Sequence, residues 1–301
     1  MEWEYQDLTE GVAMELTGRP AAASGEFQLG GDLPVVRLGF GAMRITGPGI
    51  WGEPADHDEA VRVLRRAVEL GVNLIDTADA YGPFTSEDLI AEALHPYPAD
   101  LVIATKGGFT RQGPGAWMPV GRPEYLRQCV EMSLRRLKLE RIDLYQLHRI
   151  DPQVTLEDQL GELAAMRREG KIRHIGLSEV SVAEIQRARE LTEIVSVQNR
   201  YNLTDRRSQD VVDYCTAEGL AFIPWHPLAV GELARPGGIL DSAAKEHGVA
   251  PSRLALAWLL HQSPVQLPIP GTSKVAHLED NIAAAGIELT AEEIAGLTAL
   301  D

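Results

Sequence analysis

NLIDTADAYG, residues 73–82, decides how this chain is read. The stretch begins as a short apolar strand, Leu74-Ile75, and passes into a polar loop. Asp76 stands at the strand's end and Tyr81 lies in the loop behind it. An acid at the C-terminal end of a strand, backed by a polar loop, points to an α/β active site. The plainer reading is an Asp that caps a turn. Two later positions decide between them: Lys106 closes LVIATK and His148 follows DLYQL. Each ionisable residue stands at the end of its own expected strand.

Outward from that stretch, helices and strands alternate. Helices are expected at 56–70, 86–94, 123–137, 155–168, 181–191, 206–218, 240–247, 251–262 and 275–284. Strands are expected at 72–75, 101–105, 142–147, 172–177, 194–197, 220–224 and 265–269, with RLGFG, residues 37–41, as the first. Pro123 and Pro251 sit at helix starts, and Gly71, Gly170 and Gly219 just past helix ends. The strands are short apolar runs, as suits burial on both faces. This alternation reads as a (β/α)8 TIM barrel, not an open sheet. Residues 26–38 alternate around Gly30-Gly31-Asp32 and predict an N-terminal β-hairpin. Residues 1–25 read as a mobile extension, and residues 26–301 as one barrel domain. Gly39 and Gly41 begin a GxGxxG-like pattern, but Arg44 occupies the third glycine position, so a Rossmann phosphate loop is rejected.

Composition narrows the function. The chain of 301 residues is 45% hydrophobic, enough for one large core, and carries a net charge of -16. That charge disfavours nucleic acid and anionic membranes as partners. No basic region followed by an apolar run marks a signal peptide, and no stretch has the length of a spanning helix. Cys129 and Cys215 read as buried thiols in a reducing cytoplasm. Oligomeric state is left open.

In a parallel barrel the strand ends converge on one face, so Asp76, Tyr81, Lys106 and His148 become neighbours. A lone buried Lys or Asp is costly, so those two should pair. The ammonium is then expected to lower the pKa of the Tyr81 phenol, with Asp76 holding it in place. His148 can donate a hydrogen bond to a substrate oxygen. The set suits carbonyl reduction: hydride arrives on carbon, negative charge builds on oxygen, and Tyr81 supplies the proton. The competing view has each residue satisfied separately in the core.

The sequence resembles the aldo-keto reductase superfamily, over nearly its whole length. The pieces that carry the resemblance are LGFGAM, GVNLIDTADAYG, LVIATKGG, RIDLYQLHRID, GKIRHIGLSEVS, VSVQNRYNL and IPGTSKVAHLEDN. The resemblance implies a (β/α)8 barrel, no metal, and a nicotinamide dinucleotide across the barrel mouth. It implies the tetrad Asp76, Tyr81, Lys106 and His148. Ser178 and Gln198 fall where the nicotinamide carboxamide is bound, and Trp225 where a ring stacks on it. Pro227 and Leu228 match the loop over the pyrophosphate; Gly41 and Met43 match first-strand contacts, beside Asp76. Gly271, Thr272, Ser273 and Lys274 match the adenosine-phosphate segment, at the start of a helix that favours anions. Asp280 and Asn281 match adenine contacts. Glu179 stands where many members have Asn, and Trp225 where Tyr or Phe is more frequent. His277 stands where an Arg often meets the adenosine 2′-phosphate. Lys274 remains, so NADP(H) is expected ahead of NAD(H), with weakened discrimination.

The loops GPGIWG and YGPFTSE are similar to those of the pyridoxal reductase (pyridoxine 4-dehydrogenase) branch. Trp51 and Trp117 are candidates for the wall of an aromatic aldehyde pocket, against simple packing at the rim. Arg149 and Arg200 follow strands and read as surface or structural pairs before anion ligands. The expected partner is a small carbonyl compound. The alternatives are a nicotinamide-nucleotide-binding redox sensor with little turnover, and an isomerase or lyase on the same barrel.

Overall fold

The computed structural model describes residues 18–229, 233 and 238–300. Strands β1 (Glu26–Leu29) and β2 (Leu33–Val36) form the expected hairpin. Its turn is made at Gly30 and Gly31, both at positive φ. Gly30 is also needed for space: a Cβ there would lie 2.2 Å from the His174 ring.

The barrel staves follow: β3 (Phe40–Gly41), β4 (Leu74–Asp76) and β5 (Val102–Gly107), then β6 (Phe109–Arg111) and β7 (Trp117–Pro119), a small hairpin outside the barrel. Next come β8 (Ile142–Leu147), β9 (Ile172–Ser178), β10 (Ser196–Gln198) and β11 (Ala221–Phe222). One parallel sheet runs in the order β11-β10-β9-β8-β5-β4-β3. Residues 265–269 close the cylinder as the eighth stave. Phe222 N donates to Val265 O, Leu267 N to Phe222 O, and Gly39 N to Pro268 O. This stave is irregular where a strand was expected, because Pro268 and Pro270 have no N–H to give a ladder.

Helices α1 (His57–Glu69), α2 (Thr85–Leu94), α3 (Pro123–Leu137), α4 (Leu156–Arg168), α5 (Val182–Leu191) and α6 (Gln209–Glu218) cover the outside, followed by α7 (Asp241–Glu246), α8 (Pro251–Gln262), α9 (Val275–Ile282) and α10 (Ala291–Thr298). Their starts are set locally: Asp56 caps α1, Thr155 caps α4, and Ser181 with Glu184 forms a capping box on α5. Inside the barrel, Leu29, Leu33 and Val35 of the hairpin pack with Leu74, Val102, Leu144 and Val195. The hairpin therefore plugs the N-terminal end, and the strands' C-terminal ends remain open for a site.

The mobile extension expected as far as residue 25 is corrected at its inner end. Pro20–Ser24 forms a 3-10 turn in which Ala21 is fully buried. Ala21 N donates to Leu70 O, and Ser24 Oγ accepts from Leu38 N. An alanine-rich run is small enough to pack where a polar tail would not. Residues 1–17 of that expectation lie outside the described residues. Among the described residues no helix is long and apolar enough to cross a membrane.

Candidate active site

Register brings the ionisable groups together. Asp76 pairs with Ala104 across β4 and β5, and Lys106 pairs with Gln146 across β5 and β8. The Lys106 side chain is fully buried and its ammonium uses every donor it has. It donates to Asp76 Oδ1 at 2.5 Å, to the Thr77 carbonyl at 2.8 Å and to Tyr81 Oη at 3.3 Å. The other carboxylate oxygen of Asp76 accepts from Gln146 Nε2 at 3.0 Å and Gln198 Nε2 at 2.8 Å. The pair is thus fully satisfied, as burial of two charges demands. Gln146 did not emerge from the sequence. Its signal was a lone amide in the apolar run DLYQL, directly across from Lys106.

Burial works to lower the Lys106 pKa, but the charges of Asp76 and Tyr81 outweigh it and the ammonium titrates above its ordinary value. The Tyr81 expectation is corrected in its net direction. Burial lifts the phenol above its ordinary value, and the Lys106 ammonium only partly opposes this. The phenol is therefore held protonated, which is the form a proton donor needs. His148 sits edge-on to Tyr81, ring centroids 5.9 Å apart. Burial, then the charges of Lys106 and Arg149, drive its pKa well below the ordinary value. It is a neutral imidazole with one N–H to donate. Its Nδ1 is buried and has no partner among the described residues.

A cleft of about 1190 Å³ runs from this cluster to the start of α9. Tyr81 and His148 open onto it, and Lys106 lies beneath. Every residue expected against a dinucleotide lines it: Gly41, Met43, Asp76, Ser178 and Gln198; Trp225, Pro227 and Leu228; Gly271, Thr272, Ser273 and Lys274; His277, Asp280 and Asn281. Gly41 and Gly271 floor the cleft, where a Cβ on Gly271 would come within 2.5 Å of the Gly41 carbonyl. Gln198 spends its amide nitrogen on Asp76 and Gln146, which leaves its carbonyl oxygen for an incoming donor. Trp225 Nε1 donates to Glu179 Oε1 at 2.6 Å, so the two departures noted in the sequence are bonded to each other. Asp280 is held by Ser252 and Arg253, and Glu59 accepts from Val275 N at the first turn of α9. The α9 start therefore already holds one carboxylate of the protein, with Lys274 beside it. An extended, largely apolar slot ending at a helix start fits a dinucleotide.

At the other end Phe109 and Trp117 form the wall next to His148. Trp51 does not line the cleft; it bridges to Gly82 and packs by the Arg111 guanidinium. Arg200 is an ion pair with Asp205 at 2.9 Å, whereas Arg149 lies in the cleft wall.

Comparison with known proteins follows the same lines. Residues 37–301 match the profile of the Aldo/keto reductase family. An uncharacterized oxidoreductase of Schizosaccharomyces pombe is 56% identical over 267 residues, covering 89% of this chain and 87% of that protein. The pyridoxine 4-dehydrogenase of Escherichia coli is 41% identical over 281 residues, covering 91% of this chain and 98% of that enzyme. Among solved structures, an aldo/keto reductase of Klebsiella pneumoniae in complex with NADP and acetate is 25% identical, with a TM-score of 0.76 over 90% of this chain and 93% of that one.

Proposed function

Because the chain belongs to the aldo/keto reductase family, we propose that it is an NADPH-dependent oxidoreductase that reduces an aldehyde or ketone to the alcohol. The observation that carries this reading is the Lys106 ammonium, 3.3 Å from Tyr81 Oη and 2.5 Å from Asp76. NADPH bound in the cleft supplies the hydride. Of the residues that line the cleft, Ser178, Gln198 and the Trp225 ring would hold its nicotinamide end, and Lys274 and His277 its adenosine phosphate end. As charge develops on the substrate oxygen, Tyr81 gives up its proton there. Lys106 stabilises the phenolate left behind, and Asp76, fixed by Gln146 and Gln198, keeps the ammonium in place. Neutral His148 donates to the same oxygen and orients the carbonyl.

An aromatic aldehyde of pyridoxal type is the substrate this reading favours. Support comes from the Tyr81, Phe109 and Trp117 rings around His148 and from the pyridoxine 4-dehydrogenase relative. Two buried free thiols support a reducing cytoplasm as its compartment. The catalytic unit is one barrel that reaches back at least to the Pro20–Ser24 turn.

The test is turnover of NADPH and NADH against pyridoxal, aromatic aldehydes and small ketones, with Tyr81→Phe as control. Tyr81→Phe should lose about a hundredfold or more in kcat and bind NADPH as the wild type does. Equal loss of turnover and binding would remove Tyr81 from the proton-donor role. Absence of turnover with every carbonyl, in a protein that binds NADPH, would leave a nucleotide-binding module in its place.

A further inference from the structure

Arg149 follows His148 at the end of β8, and its side chain enters the cleft wall. Nη1 donates to the His148 carbonyl at 2.5 Å and to Ser178 Oγ at 3.0 Å. Its Cζ lies 5.6 Å from the Phe109 ring centroid, and that ring is 4.6 Å from His148. The cation is thus one ring removed from the imidazole that faces the reacting oxygen.

No carboxylate forms an ion pair with Arg149 among the described residues. The acid whose charge reaches it is Glu179, and that carboxylate is taken by Trp225 Nε1 and the Arg200 backbone N–H. Nearby cations are accounted for differently. Arg200 pairs with Asp205, and Arg111 donates to the carbonyls of Ile50 and Ala80. A half-buried guanidinium that lacks an acid has only the two Nη1 bonds to replace the hydration it gave up. Among the described residues Arg37 and Arg111 also lack an acid but are held by several backbone carbonyls, so what sets Arg149 apart is a set of unfilled donors in the cleft wall. The Nε and Nη2 donors of Arg149 have no protein partner among the described residues. That edge of a guanidinium grips two oxygens of one anion side-on.

From this we infer that Arg149 binds an anionic substituent, a carboxylate or phosphate monoester, carried by the carbonyl substrate. The inference rests on the carbonyl reductase reading of this cleft and adds the charge class of its substrate. The substrate ring lies against Phe109 and Trp117, with the hydride acceptor at Tyr81 and His148 and the anion at Arg149.

The experiment pairs each charged aldehyde with a neutral counterpart: para-carboxybenzaldehyde with benzaldehyde, and pyridoxal phosphate with pyridoxal. Wild type, Arg149→Gln and Arg149→Lys are compared; Gln keeps an N–H donor toward His148 and Ser178 but removes the charge. In the wild type, kcat/KM should favour one charged member by about tenfold or more. Arg149→Gln should erase that ratio, and Arg149→Lys should keep part of it. The pair that responds tells carboxylate from phosphate. A ratio near unity in the wild type overturns the inference, and so does a ratio that survives Arg149→Gln. A loss of NADPH affinity as large as the loss for the charged aldehyde also overturns it, since Arg149 would then serve the cofactor. The corresponding alcohols are titrated into NADP-loaded protein in parallel. A charged-to-neutral affinity ratio that Arg149→Gln abolishes supports the subsite even if no aldehyde turns over, in which case only the reductase reading fails. No such ratio overturns the subsite itself.

Discussion

At the scale of single residues, the contact between Glu179 and Trp225 carries a consequence for cofactor binding. Glu179 sits at φ 55, a left-handed backbone that a non-glycine residue adopts at some cost. In that position its Oε1 accepts from Trp225 Nε1 and from Arg200 N, both at 2.6 Å. Phe or Tyr at the stacking position would have no indole N–H to anchor, so Glu and Trp make sense as a pair. Glu179→Ala keeps the left-handed strain nearly unchanged, because Ala also has a Cβ, and deletes the anchor. It should weaken NADPH binding by about tenfold to 150-fold, the range for one hydrogen bond to a charged group. Glu179→Gln keeps an acceptor and should recover most of the affinity. NADPH fluorescence titration of the three proteins checks this, and equal affinity in all three would show that the indole needs no anchor.

At the scale of elements, the hairpin of β6 and β7 shapes the end of the cleft proposed to take the substrate. Arg111 closes β6 and ties three pieces together. Its Nη1 donates to Ala80 O at 2.6 Å and Ile50 O at 3.0 Å, and its Cζ lies 3.6 Å from the Trp117 ring centroid. Ala80 immediately precedes Tyr81, so the hairpin holds the loop that carries the phenol. Arg111→Met retains much of the bulk and loses these bonds, those to the Ala116 and Gly49 carbonyls and the cation-π contact. It should raise KM for aromatic aldehydes about tenfold and change NADPH affinity less than twofold, an outcome read from steady-state kinetics beside the fluorescence titration. This element was not legible in the sequence. FTRQGPGAWMP has glycines and prolines where a strand pattern would alternate, and it pairs only because Gly113 and Gly115 turn it back at positive φ. The staves were legible because burial on both faces writes continuous apolar runs, and the helix starts because Pro123, Thr155 and Ser181 punctuate them. Asp76, Lys106 and His148 stood out because charge at a strand end is rare. Gln146 did not, since an amide carries no such flag, and neither did the raised pKa of Tyr81, which depends on how deeply neighbouring segments bury the phenol. The Pro20–Ser24 turn was missed because small residues signal packing weakly.

For the molecule as a whole, stability against pH turns on a carboxyl buried under the loop that carries Tyr81. Asp79 is 3% exposed, its N–H donates to the Lys106 carbonyl, and its own carbonyl accepts from Phe84 N. Its Oδ1 has no partner among the described residues. Burial, then the charge of Glu87, raises its pKa from 3.8 to about 7, against weaker opposing pulls from Cys129 and Arg136. Glu87 is no relief, because it is occupied by Arg136 at 2.7 Å and Thr105 at 2.6 Å. Between the two pKa values the folded chain holds a proton that the unfolded chain has released. Stability contributed by this group is therefore fully present below the unfolded value and is lost as pH rises through the folded one. The loss is on the order of 4 kcal/mol across that window. Surface carboxylates such as Glu169, which Arg127 and Lys171 hold down at about 2, act in the opposite sense and at lower pH. Asp79→Asn cannot ionise but leaves those groups in place, so the difference between the two proteins isolates Asp79. Urea unfolding should show the variant gaining on the wild type by several kcal/mol as pH goes from about 4 to about 8. A difference that stays constant over that range would mean that water or a rearranged loop keeps the carboxylate solvated, and that the floor beneath Tyr81 is less dry than its burial implies.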